Sequence, residues 1–286
     1  MIEFPEGWVI GPDVSKWISS GTEWVVIHWD GFFDAVKAPV NVLLKAIEGA
    51  FLWLPWWVVA AATGLAAWRI VGIRTGALAV ILLVGMAFLG LHDLGMQTLA
   101  IVLTATLIAV GIGLPTGILA AKSDRFEGYI RPVLDAMQTI PSFVYLIPAI
   151  MLFGLGRVPA VMATVIYAVP PMIRLTNLGI RQVDPEVVEA AKSFGCTARQ
   201  VLVKVQLPMA LPSIMAGINQ TVMMAMAMAV VGSMIGAKGL GIEVLNGIAR
   251  IDIGRGVLGG AGIVAMAIVI DRISQGFAIP RRLRCT

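Results

Sequence analysis

Side chains that could do covalent chemistry are scarce in this chain and badly spaced for it. The only histidines, His28 and His92, stand 64 positions apart, so no histidine-based metal cluster can be drawn. Neither HExxH nor GxSxG occurs, which leaves no zinc protease and no nucleophile-elbow hydrolase. An intramembrane protease would need paired acids or a Ser/His pair at depth, and both histidines read as surface residues near helix ends. The closest approach to a phosphate loop is GILAAKS, Gly117 to Ser123. It lacks the second glycine and ends an apolar run where a strand should lead in; Lys122 reads as a lysine snorkelling at a membrane boundary. The glycine clusters 236–241 and 256–262 have no strand or ribose-binding acid beside them. The first reads as a reverse turn, the second as a surface for close helix packing.

Composition says what the chain does instead. Of 286 residues, 58% are hydrophobic and only 13% charged, against about 25% charged in ordinary soluble domains. Mean hydropathy is +0.90. One buried core cannot hide that much apolar surface, so a soluble globular enzyme is excluded and the remaining solvent is lipid. The net charge of +4 fits charged cytoplasmic loops rather than a nucleic-acid surface. No basic stretch followed by an apolar core opens the chain, so no cleavable signal peptide is expected.

Apolar runs predict spans at 52–68, 76–92, 97–121, 133–153, 158–176, 211–235 and 256–278, each near the length that crosses about 30 Å of hydrocarbon. The expected architecture is all-α and polytopic, with about seven transmembrane helices. If residues 182–210 lie inside, 14 of the 21 basic residues fall on that side, while the outer side keeps seven against ten acids. The positive-inside rule therefore expects the N-terminus outside and the C-terminus inside. Cys196 and Cys285 then both sit in a reducing compartment and need no bridge. In the N-terminal segment, 1–50, Phe33, Val36, Val40, Leu43, Leu44 and Ile47 recur at helical spacing among Asp34, Lys37, Lys45 and Glu48. That pattern fits an amphipathic helix in the membrane interface, or equally one packed on the bundle. All eight tryptophans precede residue 69 and read as interface anchors rather than an aromatic cage for a quaternary ammonium ligand.

The longest polar interruption in the second half is RQVDPEVVEAAKSFGCTARQVLVKVQLP, residues 181–208. Asp184 is a good N-cap and Pro185 suits the first helical position. Glu186 and Glu189 favour the positive end of the helix dipole. Gly195 fits the left-handed residue that ends a helix, and Thr197 caps a second short helix expected to stop at Pro208. Ala190 and Ala191 would let the first helix enter a groove on another protein closely. The same segment also fits a loop helix that merely shields the bundle.

Glu189-Ala190-Ala191, Gly195 and the closing Val205-x-Leu207-Pro208 resemble the EAA motif of binding-protein-dependent ABC importer permeases, with Val205 where isoleucine is commoner. PVLDAMQTIPSFVYLIPAIMLFGLG (132–156), PPMIRLTNLGIRQV (170–183) and LPSIMAGINQTVMM (211–224) resemble the glycine betaine/proline betaine branch. The resemblance implies a type I permease core over 97–280, containing coupling helices in 182–210, preceded by two N-terminal helices over 51–96 and followed by a short cytoplasmic tail, 281–286. It implies a bacterial inner-membrane subunit with no catalysis and no cofactor of its own. ATP and magnesium would sit on a partner ATPase present in two copies. An extracytoplasmic binding protein and a second copy of this chain would complete the importer, with no nucleic acid involved. Glu186, Glu189, Ala190, Ala191, Gly195, Leu207 and Pro208 would form the ATPase contact.

Ion-coupled transporters keep carboxylates near mid-membrane. Here Asp135 and Asp271 fall near inner helix ends, which disfavours ion coupling. Pro141, Pro148, Pro159, Pro170, Pro171 and Pro212 interrupt the later helices where a cavity can satisfy the freed backbone groups. A path for a bulky zwitterion should offer aromatic faces and neutral hydrogen bonds. Gln138, Thr139, Phe143, Tyr145, Asn219, Gln220 and Thr221 fit that description, and equally fit polar contacts between helices. Rival readings are a permease for taurine, nitrate or methionine, an autonomous channel, or an intramembrane enzyme.

Overall fold

The computed structural model describes residues 11–278, with side chains from Asp13 to Gly276. Residues 1–10, the tail 281–286 and Cys285 lie outside the described residues. No strand occurs among those described. In lipid every N–H and C=O must bond within its own segment, which leaves helices for a chain of this hydropathy.

The helices run α1 Gly11–Trp53, α2 Trp56–Ile70, α3 Ile73–Phe88, α4 His92–Lys122, α5 Asp124–Thr139 and α6 Leu146–Phe153. They continue as α7 Arg157–Arg181, α8 Pro185–Ser193, α9 Ala198–Val201, α10 Leu207–Val231, α11 Gly241–Arg250 and α12 Ile253–Ala278. Four unbroken stretches are long and apolar enough to cross a membrane: His92–Lys122, Arg157–Arg181, Ala198–Ile235 and Ile253–Gly276. Counting the bent pairs α1–α2 and α5–α6 as one span each raises the number to six. The 16-residue α3 is the seventh apolar helix, roughly 24 Å long at about 1.5 Å per residue.

Helix α7 is the centre of the bundle. Its face from Val158 to Ile180 is largely buried, and small residues bring its neighbours close. A Cβ on Gly117 of α4 would stand 2.6 Å from Thr176 Cβ and 2.8 Å from the Ile173 carbonyl. A Cβ on Gly179 would stand 2.6 Å from Ser213 Cβ of α10. Without a hydrophobic drive between helices in lipid, such approaches carry the packing.

Several expected boundaries are corrected. The span foreseen at 133–153 is not one helix. It begins earlier, at Asp124, where Ser123 accepts a hydrogen bond from Phe126 N, and it turns by 107° before Ser142. Pro141 forces Ile140 into an extended conformation, φ −71 and ψ 127, and a 3-10 turn over Ser142–Tyr145 leads into α6. The amphipathic N-terminal helix starts well before the pattern that opens at Phe33: α1 is helical from Gly11, with a non-helical residue at Trp29. Its second half packs on the bundle: Val40 and Leu44 are buried. Glu48, expected among the polar residues, is buried too and pairs with Arg157 at the start of α7. The second helix of the 181–208 segment does not stop at Pro208 but runs on into α10.

At the opposite end from the 181–208 segment, Gly156 N donates to the Ile235 carbonyl at 2.9 Å, and Arg255 clasps Glu243. Arg255's hydrogen bond holds the Glu243 carboxyl below its ordinary range, against a smaller opposing push from burial. The clasp therefore contributes fully above the usual carboxylate range and is lost as pH falls through the lowered value.

Gly117→Ala is expected to destabilise the chain by about 1–3 kcal/mol through overpacking, read as a lower Tm of the purified protein. At Gly111, on the same helix, an added Cβ meets nothing within 4 Å, so Gly111→Ala should leave Tm unchanged or raise it. Equal losses at both positions would contradict a close α4–α7 contact.

Candidate functional site

The 181–208 segment folds as its local chemistry dictates. Asp184 Oδ1 accepts from Glu186 N at 2.9 Å, and Pro185 occupies the first turn of α8. At the other end Gly195 takes φ +82. Cys196 N donates to Ala191 O at 3.1 Å and Gly195 N to Lys192 O at 2.9 Å, the paired bonds of a Schellman closure. Thr197 and Gln200 then form a reciprocal capping box at the start of α9. Each of these caps is worth about 1 kcal/mol, and together they fix a two-helix elbow.

Of the two arms, only the second is buried in the bundle. Val201 and Leu202 are buried, Leu202 in a small core with Met172, Ile180, Ala210 and Ile214. No residue of α8 is buried. At helical spacing Val187, Ala190, Ala191 and Phe194 share one face. Phe194 is 89% exposed, Ala190 is exposed and Ala191 half-buried, while Glu186 and Glu189 stand in solvent. A small-residue helix face with an uncovered phenylalanine at its end is shaped to fill a groove elsewhere. Sequence reasoning missed Phe194; its signal is an aromatic residue just before a helix-ending glycine in a polar segment.

Leu207 and Pro208 lie inside a continuous helix. Residues Leu202–Gln206 form a π turn, with Leu207 N donating to Leu202 O, ahead of the proline that has no N–H to give. The helical stretch Ala198–Ile235 is thereby unbroken over 38 residues.

Four residues before α8, Arg181 ties three helices together. Its guanidinium donates to Asn177 Oδ1 at 2.9 Å, Asp124 Oδ1 at 2.6 Å and the Ala120 carbonyl at 2.9 Å. It also meets Glu127 Oε2 at 3.2 Å, while Asn177 donates to Glu127 Oε1 at 3.1 Å. Arg174 pairs with Asp135 further along the same helices. These contacts border a cleft of about 320 Å3 between α5 and α7. The sequence offers these residues only as topology markers, because the partners are up to 61 positions apart.

The candidate path residues divide in two. Gln138, Thr139, Phe143 and Gln220 are exposed, with the Thr139 hydroxyl donating to Ala136 O at 2.9 Å. Tyr145 is buried and donates to Met137 O, and buried Thr221 donates to Gly217 O at 2.8 Å. Asn219 donates to Asp271 Oδ1 at 3.1 Å and accepts from Ser274, clasping α10 to α12. The polar atoms of Tyr145, Asn219 and Thr221 are thus engaged within the protein.

Residues 113–278 match the family model described as binding-protein-dependent transport system inner membrane component. The glycine betaine/proline betaine transport system permease protein ProW of Escherichia coli K12 is 47% identical over 271 residues, 95% of this chain and 77% of that one. The glycine betaine/carnitine transport permease protein GbuB of Listeria monocytogenes is 45% identical over 92% of this chain and 95% of its own. Among solved structures, an inward-facing form of the MetNI methionine ABC transporter is similar in fold, with TM-score 0.55 and 22% identity over 63% of this chain and 93% of that one. The chain with the exposed elbow and the α4–α7–α10 core therefore belongs to the inner-membrane permease subunits of binding-protein-dependent ABC transport systems.

Proposed function

We propose that this permease carries glycine betaine-type osmolytes inward, driven by an ATPase that grips the elbow. The observation that carries the reading is the uncovered face of α8, closed by Phe194, on an elbow whose other arm is a membrane-crossing helix. A groove on the ATPase would receive Val187, Ala190, Ala191 and Phe194, with Glu186 and Glu189 at its rim. Gly195 allows the sharp turn between the arms. Leu207 and Pro208 continue the second arm and pass displacement to the bundle. ATP and magnesium belong to the partner, two ATPase copies serve two copies of this chain, and an extracytoplasmic binding protein delivers the cargo. The basic bias at the elbow end supports a cytoplasmic elbow, an outer N-terminus and an inner C-terminus.

For the cargo, the support is the methylated ammonium substrates in the relatives' names and the exposed set Gln138, Thr139, Phe143 and Gln220. An aromatic face with neutral amides holds a zwitterion weakly enough to release it. Gln220 sits on an exposed stripe of α10 between Ala216 and Ala227, where a second copy could approach and enclose a path. Arg181 transmits force: it joins the root of the elbow to α4 and α5, so α8 cannot tilt without them.

Phe194→Asp and Glu189→Lys should each abolish betaine uptake in cells at unchanged membrane abundance. Losing a buried aromatic anchor costs about 2 kcal/mol or more, roughly 30-fold in ATPase affinity. Wild-type uptake in both would exclude the docking role. Arg181→Gln should lower uptake several-fold while the ATPase still co-purifies; loss of the ATPase itself would show that Arg181 serves assembly instead. In liposomes holding the permease, ATPase and binding protein, glycine betaine should stimulate ATP hydrolysis, and taurine, nitrate and methionine should not. Stimulation by one of the latter would reassign the cargo without touching the elbow.

A further inference from the structure

A second charged cleft lies between the α2–α3 turn and α12 and shares no residue with the cleft beside Arg181. It has a volume of about 340 Å3 and is lined by Val71, Arg74, Thr75, Leu78, Arg272, Gln275 and Gly276. Helix α12 is pressed onto the α2–α3 turn here: a Cβ on Gly276 would stand 2.5 Å from side-chain carbons of Ile70 and Val71. That approach brings two guanidiniums, from different helices, to one cleft. Neither has a carboxylate within ion-pair distance among the described residues, and no acid lines the cleft. The adjacent Asp271 is engaged by amides, Gln275 Nε2 at 2.7 Å and Asn219 Nδ2 at 3.1 Å. Like charges held together repel unless an anion sits between them.

The place identifies the anion. The cleft is at the meeting of three helix ends, the end of α2, the start of α3 and the end of α12, and the ends of apolar helices are where lipid headgroups lie. Next to the arginines the surface is apolar: Leu78 of the cleft wall is 40% exposed, and Ile81, a turn further along α3 on the adjoining α2–α3 groove, is 66% exposed. A soluble anion would gain nothing from that wall, whereas an acyl chain would lie along it. Thr75 adds a neutral donor, and the N-cap of α3, Gly72, makes no side-chain cap, which leaves the first N–H groups of α3 open at the same end. We propose that Arg74 and Arg272 bind the phosphate of an anionic phospholipid, with its acyl chain against Leu78 and Ile81. Guanidiniums suit this by donating in a planar fork to phosphate oxygens. The lipid staples α12 to the α2–α3 hairpin and belongs to the inner leaflet on the orientation proposed above.

The test uses the complete chain in phosphatidylcholine-containing micelles, titrated with short-chain phosphatidylglycerol and followed by native mass spectrometry. The wild type should retain phosphatidylglycerol over phosphatidylcholine. The double variant Arg74→Gln/Arg272→Gln should bind it roughly thirtyfold more weakly, from about 1 kcal/mol per basic residue at a membrane surface. Arg74→Lys/Arg272→Lys should keep most of the affinity, and Arg250→Gln, beyond the opposite end of α12 from Arg272, should keep all of it. Equal thermal unfolding of these proteins in phosphatidylcholine alone establishes that the variants are folded; if the glutamine variant is not, the lysine variant and lipid competition in the wild type decide. Equal retention of the two lipids by the wild type, unchanged affinity in the glutamine variant, or displacement by millimolar inorganic phosphate would each overturn the proposal.

Discussion

The guanidinium of Arg181 is the joint on which the elbow half of this permease depends. One side chain satisfies the Ala120 carbonyl at the end of α4, two carboxylates on α5 and an amide on its own helix. A planar group with five donors can do this; an ammonium on a flexible stem would hold one or two of the same partners in no fixed geometry. The contacts lie where α4 ends and α5 begins, and the exposure of Asp124 weakens the charge term, so the value of the knot is geometric. It sets the angle at which the chain leaves α7, and Asp184 and Pro185 start α8 three residues later.

From that joint the elbow works by contrast between its two arms. The first arm buries nothing in its own chain, so its fixed shape comes from caps alone. Its second arm is continuous with α10. A helix transmits displacement along its axis because each peptide is bonded to the next turn, and Ala198–Ile235 keeps that ladder from the capping box at Thr197 to the 3-10 turn at Gly232–Ile235. The two irregular stretches, the π turn before Pro208 and the 3-10 turn at the far end, are where such a rod can bend at least cost.

What was legible in the sequence follows from the range of the interaction. Asp184, Pro185, Gly195 and Thr197 act within four or five residues, and type and spacing suffice to place them. The start of α5 is legible in principle from Ser123 and its acids, yet the apolar run beginning at Val133 drew the boundary too late. Pro208 misled in the opposite direction: a proline commonly ends a helix, but here the π turn upstream absorbs its missing donor. The pairing of Arg181 with Asp124 and Glu127, and of Glu48 with Arg157, was not legible at all. Nothing in a single sequence links residues 57 or 109 positions apart. For the same reason Asn219 and Thr221 looked like path residues: polarity at membrane depth is shared by groups facing a cavity and groups bonded to a neighbouring helix, and the partner decides.

The far end of the long helix completes the mechanical argument. The Ile235 carbonyl accepts from Gly156 N, and the next residue, Arg157, holds Glu48 of α1. Gly156 takes φ +123 and Gly154 φ +80, conformations open to glycine alone at low cost, so this turn is fixed by backbone geometry and not by side-chain packing. A displacement entering at Thr197 therefore reaches the α6–α7 turn through helix and one backbone hydrogen bond, and reaches α1 through one further ion pair. The residues at both ends of the rod are tied, and those along its exposed stripe, Ala216, Gln220 and Ala227, are not. A permease that must open one side while closing the other is served by this distribution: rigid connection between the two ends, and between them one uncovered stripe beside a face that Asn219 clasps to α12.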